Sequence, residues 1–430
     1  MKSVEAIYPY QQAGVEWLAE RRTAFLADEM GLGKTVQAIR GADIIGAKKI
    51  LVICPAVARI QWAREFERWQ TVERSVFSWV SPPHGNPDVV IVSNAGINQG
   101  PVAEKLQECA WDLLILDEAQ AFKSQQAKRT VAIYGKDGLC RKTARTWLLS
   151  GTPMPNHPGE LWTHLRVLFG ETLDYPDFLN RYCITAQGDY GLRVLGSRNL
   201  GELKDKLRPH LLRRRTSEVL RELPPIAFGE VVVRAENSAG IVAAMMAKLG
   251  TIDPEALATC NQEHLSALRR MIGILKAPAV AELIMGELTA DPLMKLVCFA
   301  HHLDVLDTLQ ESCSSLGVVR IDGATRPVMR QEAIDTFQNK PDVRLFLGQI
   351  QACSTAITLT AANRVLFAEA SWTPGDNVQA AKRCHRIGQT RPVLARFVTL
   401  DGTIDDAVNR VLARKARMLT ELWDNQEEPG

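Results

Sequence analysis

Residues 27–35 read ADEMGLGKT and stand between an apolar run, Thr23–Ala27, and an amphipathic stretch, Thr35–Ile45. A glycine-bearing turn that leaves a buried strand and opens a helix restricts the fold strongly, because that context belongs to phosphate-binding loops on parallel sheets. In the turn Gly31-Leu32-Gly33, the two glycines let backbone amides close around phosphate oxygens. The N-terminus of the following helix favours negative charge. Lys34 would reach the outer phosphates, and Thr35 would place a hydroxyl on Mg2+. The strict spacing G-x-x-x-x-G-K-T asks for glycine where Asp28 stands, so the segment in isolation also fits an ordinary turn and helix start.

The alternation continues along the chain. Lys49–Ile53, Asp88–Val92, Leu113–Leu116 and Thr146–Leu149 are short apolar runs, with amphipathic stretches such as Ile60–Gln70 between them. A second series follows at Leu293–Phe299, Val318–Ile321, Arg344–Leu347, Arg364–Phe367 and Ala395–Thr399. Alternation of this kind predicts an α/β chain with parallel sheets covered on both faces. A length of 430 residues suits two domains of roughly 200 residues each. We place them at 1–227 and 228–430, with helical insertions near the junction at about 155–222 and 238–290. Pro224-Pro225 cannot continue a helix and marks a linker.

Composition narrows the class. A formal net charge of +2 gives a weak overall field, so any nucleic-acid contact must come from local clusters. Arg213–Arg215, Arg141–Arg145 and Lys382–Arg396 are the densest, and each alone reads more readily as a solvated face. The nine cysteines are scattered without a C-x-x-C pair, which argues for reduced thiols and against a zinc site. No apolar run approaches the ~20 residues that span a bilayer. The N-terminus MKSVEAIYPYQQ lacks a signal pattern, so the expectation is a cytoplasmic protein, nuclear in a eukaryote, with no membrane partner.

The stretch LLILDEAQAFKS, Leu113–Ser124, ends an apolar run in two carboxylates. Asp117, at the tip of a buried strand, would hold magnesium, and Glu118 would orient the attacking water. Alone, Asp-Glu also fits a helix start with an acidic first turn. Paired with the upstream loop, the nucleotide reading prevails.

The order of motifs resembles the superfamily-two helicases, and specifically the Swi/Snf-type DNA translocases. The segments that carry the resemblance are YPYQQAGVEWL (Tyr8–Leu18), LVICPAVARIQWAREFERW (Leu51–Trp69), VSNAG (Val92–Gly96), LLSGTPMPNHPGELW (Leu148–Trp162) and HLLRRRTSEVLRELPP (His210–Pro225). RIDGAT (Arg320–Thr325), RQEAIDTFQ (Arg330–Gln338) and QAAKRCHRIGQT (Gln379–Thr390) follow. The segment FAEASWTPGDNVQAAKRCHRIGQT most resembles the annealing-helicase, or HARP-like, branch.

The resemblance implies two RecA-like lobes in tandem and an ATPase using Mg2+. Gln11 would read the base, with Gln379 also at the nucleotide. Gln120 would link the nucleotide site to a coupling motif, Ser150-Gly151-Thr152. It further implies backbone contacts to DNA from Pro55, Ser93, Ser150 and Thr152 in the first lobe, and from Thr325, Thr355 and Trp372 in the second. Arg383 and Arg386 would act as arginine fingers. Their spacing with Gln379, at i, i+4 and i+7, would put all three on one helical face. For Arg213–Arg215, pairing with acidic neighbours competes with DNA contact.

The sequence departs from that pattern in two places. QACSTAITLTAAN, Gln351–Asn363, carries no glycine where the family has a glycine-rich motif, which puts backbone contacts near Thr355-Ala356 in doubt. No chromodomain-like, bromodomain-like, zinc or substrate-recognition module is recognisable, so the expectation is a minimal, monomeric motor of bacterial or phage type. Three functions remain open. The first is a translocase on double-stranded, forked or branched DNA. The second is the motor of a restriction or RNA-remodelling system. The third is a nucleotide-gated clamp with weak turnover, suggested by Gln120 at a position where the family usually has histidine.

Overall fold

The structure is a computed structural model that describes residues 6–79, 86–98, 100–154, 157–188, 191–234, 262–353, 357–371, 374–401, 403 and 405, with the backbone alone at 188, 191–193, 262–268 and 374. The chain forms two compact units, Met1–Leu220 and Arg221–Gly430.

In the first unit the strands are β1 (Thr23–Leu26), β2 (Ile50–Cys54), β3 (Val76–Ser78), β4 (Val89–Ser93), β5 (Trp111–Asp117), β6 (Thr143–Leu149), β7 (Cys183–Gly188), β8 (Gly191–Ser197) and β9 (Leu211–Leu212). Seven of them form a sheet in the order β3-β4-β2-β5-β6-β1-β9, and every pairing is parallel. All five residues of β2 are buried, as a strand covered on both faces requires, and this is why it reads as an unbroken apolar run. The registers Leu26↔Leu149, Asp117↔Leu149 and Cys54↔Ser93 bring the strand ends to one carboxyl edge.

Three helices support that edge. Helix α1 (Pro9–Ala19) begins with proline, and the Gln11 side chain accepts the Tyr8 amide at 3.0 Å. Helix α2 (Lys34–Ile44) lies so close to β6 that a Cβ on Gly41 would sit 3.1 Å from the Trp147 ring. Helix α3 (Arg59–Trp69) buries Trp62 and Phe66, one turn apart.

The expected helical insertion is only partly helical. Helices Trp162–Leu168, Tyr175–Tyr182 and Leu200–Leu207 are present, but β7 and β8 form an antiparallel hairpin between them. The segments Cys183–Gly188 and Gly191–Ser197, with Ile184, Thr185 and Val194 among them, favour strands, a local preference that the helical average of the region conceals.

The second unit holds β10 (Ile226–Val233), β11 (Leu296–Ala300), β12 (Val318–Ile321), β13 (Leu345–Gln349), β14 (Arg364–Phe367) and β15 (Val393–Leu400), in the parallel order β10-β15-β14-β11-β13-β12. Successive residues of β11 enter different cores. Val297 and Phe299 pack in one cluster, and Leu296, Cys298 and Ala300 in another, so both faces are covered. The expected boundary at 227/228 falls inside β10, whose pairing with β15 starts at Ile226↔Val393. Pro224-Pro225 is pinned to this unit, because the Pro224 carbonyl bonds His385 Nε2 at 2.6 Å and the Pro225 carbonyl accepts the Val393 amide at 3.0 Å. Of the expected insertion at 238–290, residues 262–290 are one helix, Gln262–Ala290, and 235–261 lie outside the described residues. Among the described residues no helix is long and apolar enough to cross a membrane.

Candidate active site

The turn that links β1 to α2 has both glycines in the left-handed region, Gly31 at φ +88° and Gly33 at φ +74°. A side chain at Gly33 would be strained, and its Cβ would lie 2.4 Å from Gln11 Nε2. The carbonyl of buried Leu32 accepts three donors: Gln11 Nε2 at 3.2 Å, Tyr10 Oη at 3.1 Å and Gln37 Nε2 at 3.3 Å. Gln11 is therefore built into the loop rather than standing beside it. Lys34 Nζ donates to the carbonyls of Asp28 (2.8 Å) and Glu29 (3.2 Å). Thr35 is half-buried at the first turn of α2.

Asp28, where the strict loop pattern wants glycine, is fully buried and has a specific task. Its carboxylate accepts the backbone amide of Arg214 at 3.1 Å, Arg214 Nε at 2.9 Å and Gln37 Nε2 at 3.0 Å, with Arg214 Nη2 completing a salt bridge. Arg214 also donates to Gln37 Oε1 at 2.7 Å and lies over the Tyr10 ring, 5.3 Å from its centroid. A Cβ on Gly14 would run into Gln37 and Arg214, so α1 needs glycine there to reach this hub. The arginine strip is thus structural at two positions, since Arg215 pairs with Glu218. Arg213 donates to the carbonyls of Ala27 (3.2 Å) and Gly151 (3.4 Å), bridging the phosphate-loop base to the coupling turn. No local signal marks Arg214, Gln37, Tyr10 and Gly14 as site residues, because in the sequence Asp28 shows only as a departure from the loop pattern.

Asp117 ends β5 with both oxygens occupied. Oδ1 accepts the Glu118 amide at 3.0 Å and Oδ2 accepts the Trp62 indole at 2.8 Å. Burial and the neighbouring Glu118 charge push its pKa up to about 6, against the opposing pull of Trp62 and Lys34. Glu118 is one of two non-glycine residues among those described with positive φ, at +50°. That conformation turns the chain sharply after the strand, and an unfavourable backbone of this kind is held only by its surroundings. Gln120 supplies part of that hold, because its Nε2 donates to Glu118 Oε2 at 2.7 Å. Its Oε1 accepts the Ser150 hydroxyl at 2.6 Å, and Ser150 Oγ accepts the Thr152 amide at 3.0 Å. An unbroken chain of hydrogen bonds therefore runs from Glu118 through Gln120 to Ser150 and Thr152. Gly151 lies close by, and a Cβ on it would be 2.7 Å from Met30 and 3.4 Å from Lys34 Nζ.

The first-unit positions assigned to DNA lie at the same carboxyl edge. Pro55 follows β2 directly. Ser93 ends β4, and its hydroxyl accepts the Gly96 amide at 3.0 Å. In the second unit Thr325 closes a turn with Asp322, accepting that residue's amide at 2.9 Å and donating to its carboxylate at 3.1 Å. Thr355 and Trp372 lie outside the described residues.

Gln379, Arg383 and Arg386 do not share a helical face. The helix Pro374–Ala381 ends before Arg383, and the Arg383 and Cys384 amides bond three residues back, to Ala380 and Ala381, in tight turns. The i, i+4, i+7 spacing would need the helix to continue for another turn. Gln389, inserted through its amide against the Thr360, Ala362 and Cys384 carbonyls, holds the chain in another path. Arg383 is 3% exposed and its carbonyl accepts the Leu359 amide at 2.8 Å. Arg386 is half-buried and donates to Thr358 Oγ1 at 3.2 Å.

The donor set fits a magnesium nucleotide. Two left-handed glycines shape the turn, Lys34 at the start of α2 donates to two backbone carbonyls, and Asp117 and Glu118 stand side by side with the Asp117 pKa raised. Residues 10–230 match the SNF2-related domain, and residues 276–388 match the helicase conserved C-terminal domain. The chain belongs to the SNF2-related family. The Swi/Snf-type resemblance of the motifs agrees with this.

Similar proteins include SWI/SNF-related matrix-associated actin-dependent regulator of chromatin subfamily A-like protein 1 of Drosophila melanogaster, 32% identical over 98% of this chain and 56% of the relative. The Caenorhabditis elegans homolog of that protein is 32% identical over 97% of this chain and 62% of the relative. Human DNA annealing helicase and endonuclease ZRANB3 is 29% identical over 98% of this chain and 41% of the relative. This SNF2-related chain thus spans roughly half the length of these curated relatives. Among solved structures, the Sulfolobus solfataricus SWI2/SNF2 ATPase core in complex with dsDNA is similar at 23% identity and a TM-score of 0.46, covering 97% of this chain and 95% of that one.

Proposed function

We propose that this chain is a DNA-dependent ATPase that moves along double-stranded DNA and remodels forked or branched structures. One observation carries the reading: Lys34, Asp117 and Glu118 meet at one sheet edge, and a hydrogen-bond chain leads from Glu118 to the Ser150–Thr152 turn. Family membership and the names of the relatives, which include a DNA annealing helicase, support the substrate class.

The reaction joins a water oxygen to the γ-phosphorus of ATP and breaks its bond to the β–γ bridging oxygen, giving ADP, phosphate and a proton. Asp117 and Thr35 would hold a magnesium ion, which would supply charge neutralisation at the phosphates. Glu118 orients and polarises the water. Lys34 exchanges its two carbonyl partners for phosphate oxygens, and the amides of the Gly31–Lys34 turn take the remaining charge. Gln11 holds the loop and reads the base. Arg383 and Arg386 would stabilise charge on the transferred group once a rearrangement frees them, which ties turnover to motion in the second unit. Pro55, Ser93 and Thr325, with Thr355 and Trp372, would follow the phosphate backbone, giving salt-sensitive binding without sequence preference.

The test is steady-state hydrolysis with no nucleic acid, duplex, single strand, forked DNA and RNA, alongside Lys34→Ala and Glu118→Gln. Duplex or forked DNA should stimulate most, and both substitutions should lower turnover by about 100-fold or more. Equal stimulation by RNA and duplex would contradict the DNA assignment and favour an RNA-remodelling motor. Turnover that survives Lys34→Ala would contradict the site. A second reading, a nucleotide-gated clamp with weak turnover, is favoured by the amide of Gln120 seated on Glu118, since a carboxylate that already accepts a strong bond polarises water less well. It expects tight ATP and DNA binding with hydrolysis barely above background.

A further inference from the structure

The side-chain donor to Asp117 comes from α3, an element separate from both the nucleotide loop and β5. Trp62 lies in α3, 55 residues away in sequence, and gives its indole N–H to Asp117 Oδ2 at 2.8 Å. The indole is 2% exposed and packs at a tilt on Phe66, with 6.1 Å between ring centroids. An indole offers one donor and no acceptor, so it fixes the direction of a carboxylate without competing for a cation. The other oxygen is held by the Glu118 amide, so together the two bonds determine the plane of the carboxylate. The strand geometry leaves α3 little freedom to stand elsewhere: β2, which feeds it, pairs with β5 through Ile53↔Leu116, one residue short of Asp117. The Cys54 thiol at the end of β2 feels the Asp117 charge, after the larger effect of its own burial.

We propose that Trp62 is a positioning residue for the cation of the nucleotide site, with its indole N–H aligning the Asp117 carboxylate. The inference rests on the ATPase reading above, in which Asp117 anchors magnesium. The comparison with outer-shell donors at metal sites is direct: groups that orient a ligating side chain commonly change metal affinity by 10- to 100-fold when removed. A buried tryptophan that only fills space would have its N–H satisfied by any nearby carbonyl. Here the partner is the proposed metal carboxylate itself.

The experiment uses the full chain with two substitutions at this position. Trp62→Phe removes the donor and part of the ring. Replacement of Trp62 by benzothienylalanine exchanges the N–H for sulfur and keeps the ring's size, so it serves if the phenylalanine variant folds poorly. Phe66→Leu is the packing control. Binding of a fluorescent ADP analogue is titrated with MgCl2, and the half-saturating Mg2+ of ATP hydrolysis is measured in parallel. The proposal expects a roughly tenfold rise in half-saturating Mg2+ in both assays for both Trp62 replacements, little change in the Mg2+-free affinity, and no such rise for Phe66→Leu. Unchanged Mg2+ dependence in the benzothienylalanine protein would overturn it, as would an equal rise in Phe66→Leu. If the unsubstituted chain binds the nucleotide without any Mg2+ or Lys34 dependence, the ATPase reading fails first and the inference falls with it.

Discussion

Two carboxylates stand at the carboxyl edges of the two sheets, one ending a central strand and one just beyond another, and their surroundings treat them in opposite ways. Asp117 ends β5 beside a second carboxylate, and burial and that neighbour raise its pKa to about 6. Glu369 lies two residues past β14 and is 4% exposed. It accepts the His301 amide at 3.0 Å, the His302 amide at 2.9 Å and His302 Nδ1 at 2.7 Å. Burial alone would raise Glu369, but these bonds bring it below the usual carboxylate range. The first edge keeps negative charge in excess, which a cation would relieve. The second neutralises its charge internally, and its Glu369 holds the start of the helix Leu303–Ser312 to the sheet. The same topology thus serves chemistry in one unit and framework in the other.

The largest effects should separate the edges by function. Glu118→Gln is expected to lower hydrolysis by about 100-fold or more, the usual contribution of a group that activates water. Glu369→Gln should change stability rather than chemistry, costing the second unit about 2 kcal/mol at pH 7.5 through weakened charge-assisted bonds. Hydrolysis assays on both variants, with thermal unfolding and hydrogen exchange to assign the unit affected, would check this. A comparable loss of turnover in the two variants would break the contrast. Between these lies Arg214→Met, which strands the buried Asp28 carboxylate and should destabilise the first unit by about 3 kcal/mol.

A smaller effect tests the electrostatic contrast by its sign. The Asp117 pKa is raised above its unfolded value, so the native state holds a proton that the unfolded chain has released. That stabilisation is complete below about pH 4 and is lost as pH rises through about 6. In the absence of Mg2+, Asp117→Asn should therefore stabilise the protein more at pH 7.5 than at pH 4. Glu369 has the opposite sign, since its pKa is lowered. Its contribution is present above the ordinary glutamate pKa and declines as pH falls, so Glu369→Gln should cost less at pH 4 than at pH 7.5. Unfolding midpoints at the two pH values give both slopes.

The sheet edges were legible because their signals are local. Apolar runs mark the central strands, and ADEMGLGKT and Asp117-Glu118 fall at their ends. Short edge strands such as β3 and β9, of three and two residues, carry too little periodicity to be read. The Asp28–Arg214 hub and the Trp62–Asp117 bond join residues 186 and 55 positions apart, and no local pattern contains such pairs. The arginines after Gln379 depart from their helical spacing for a related reason. Helical spacing assumes that the helix continues, whereas Gln389 ties the chain into turns through partners at Thr360 and Ala362.

The proposed link between hydrolysis and DNA runs through Gln120, which touches both Glu118 and Ser150. Glutamine supplies a donor and an acceptor but does not titrate near neutral pH, so this link should work without the pH dependence a histidine would bring. Gln120→Leu removes both bonds and keeps the side chain's approximate size. The ratio of hydrolysis rates with and without duplex DNA, measured for this variant and the native chain, tests the account most directly. Basal hydrolysis should persist while the ratio falls toward one. An unchanged ratio would show that DNA reaches the nucleotide site by another route.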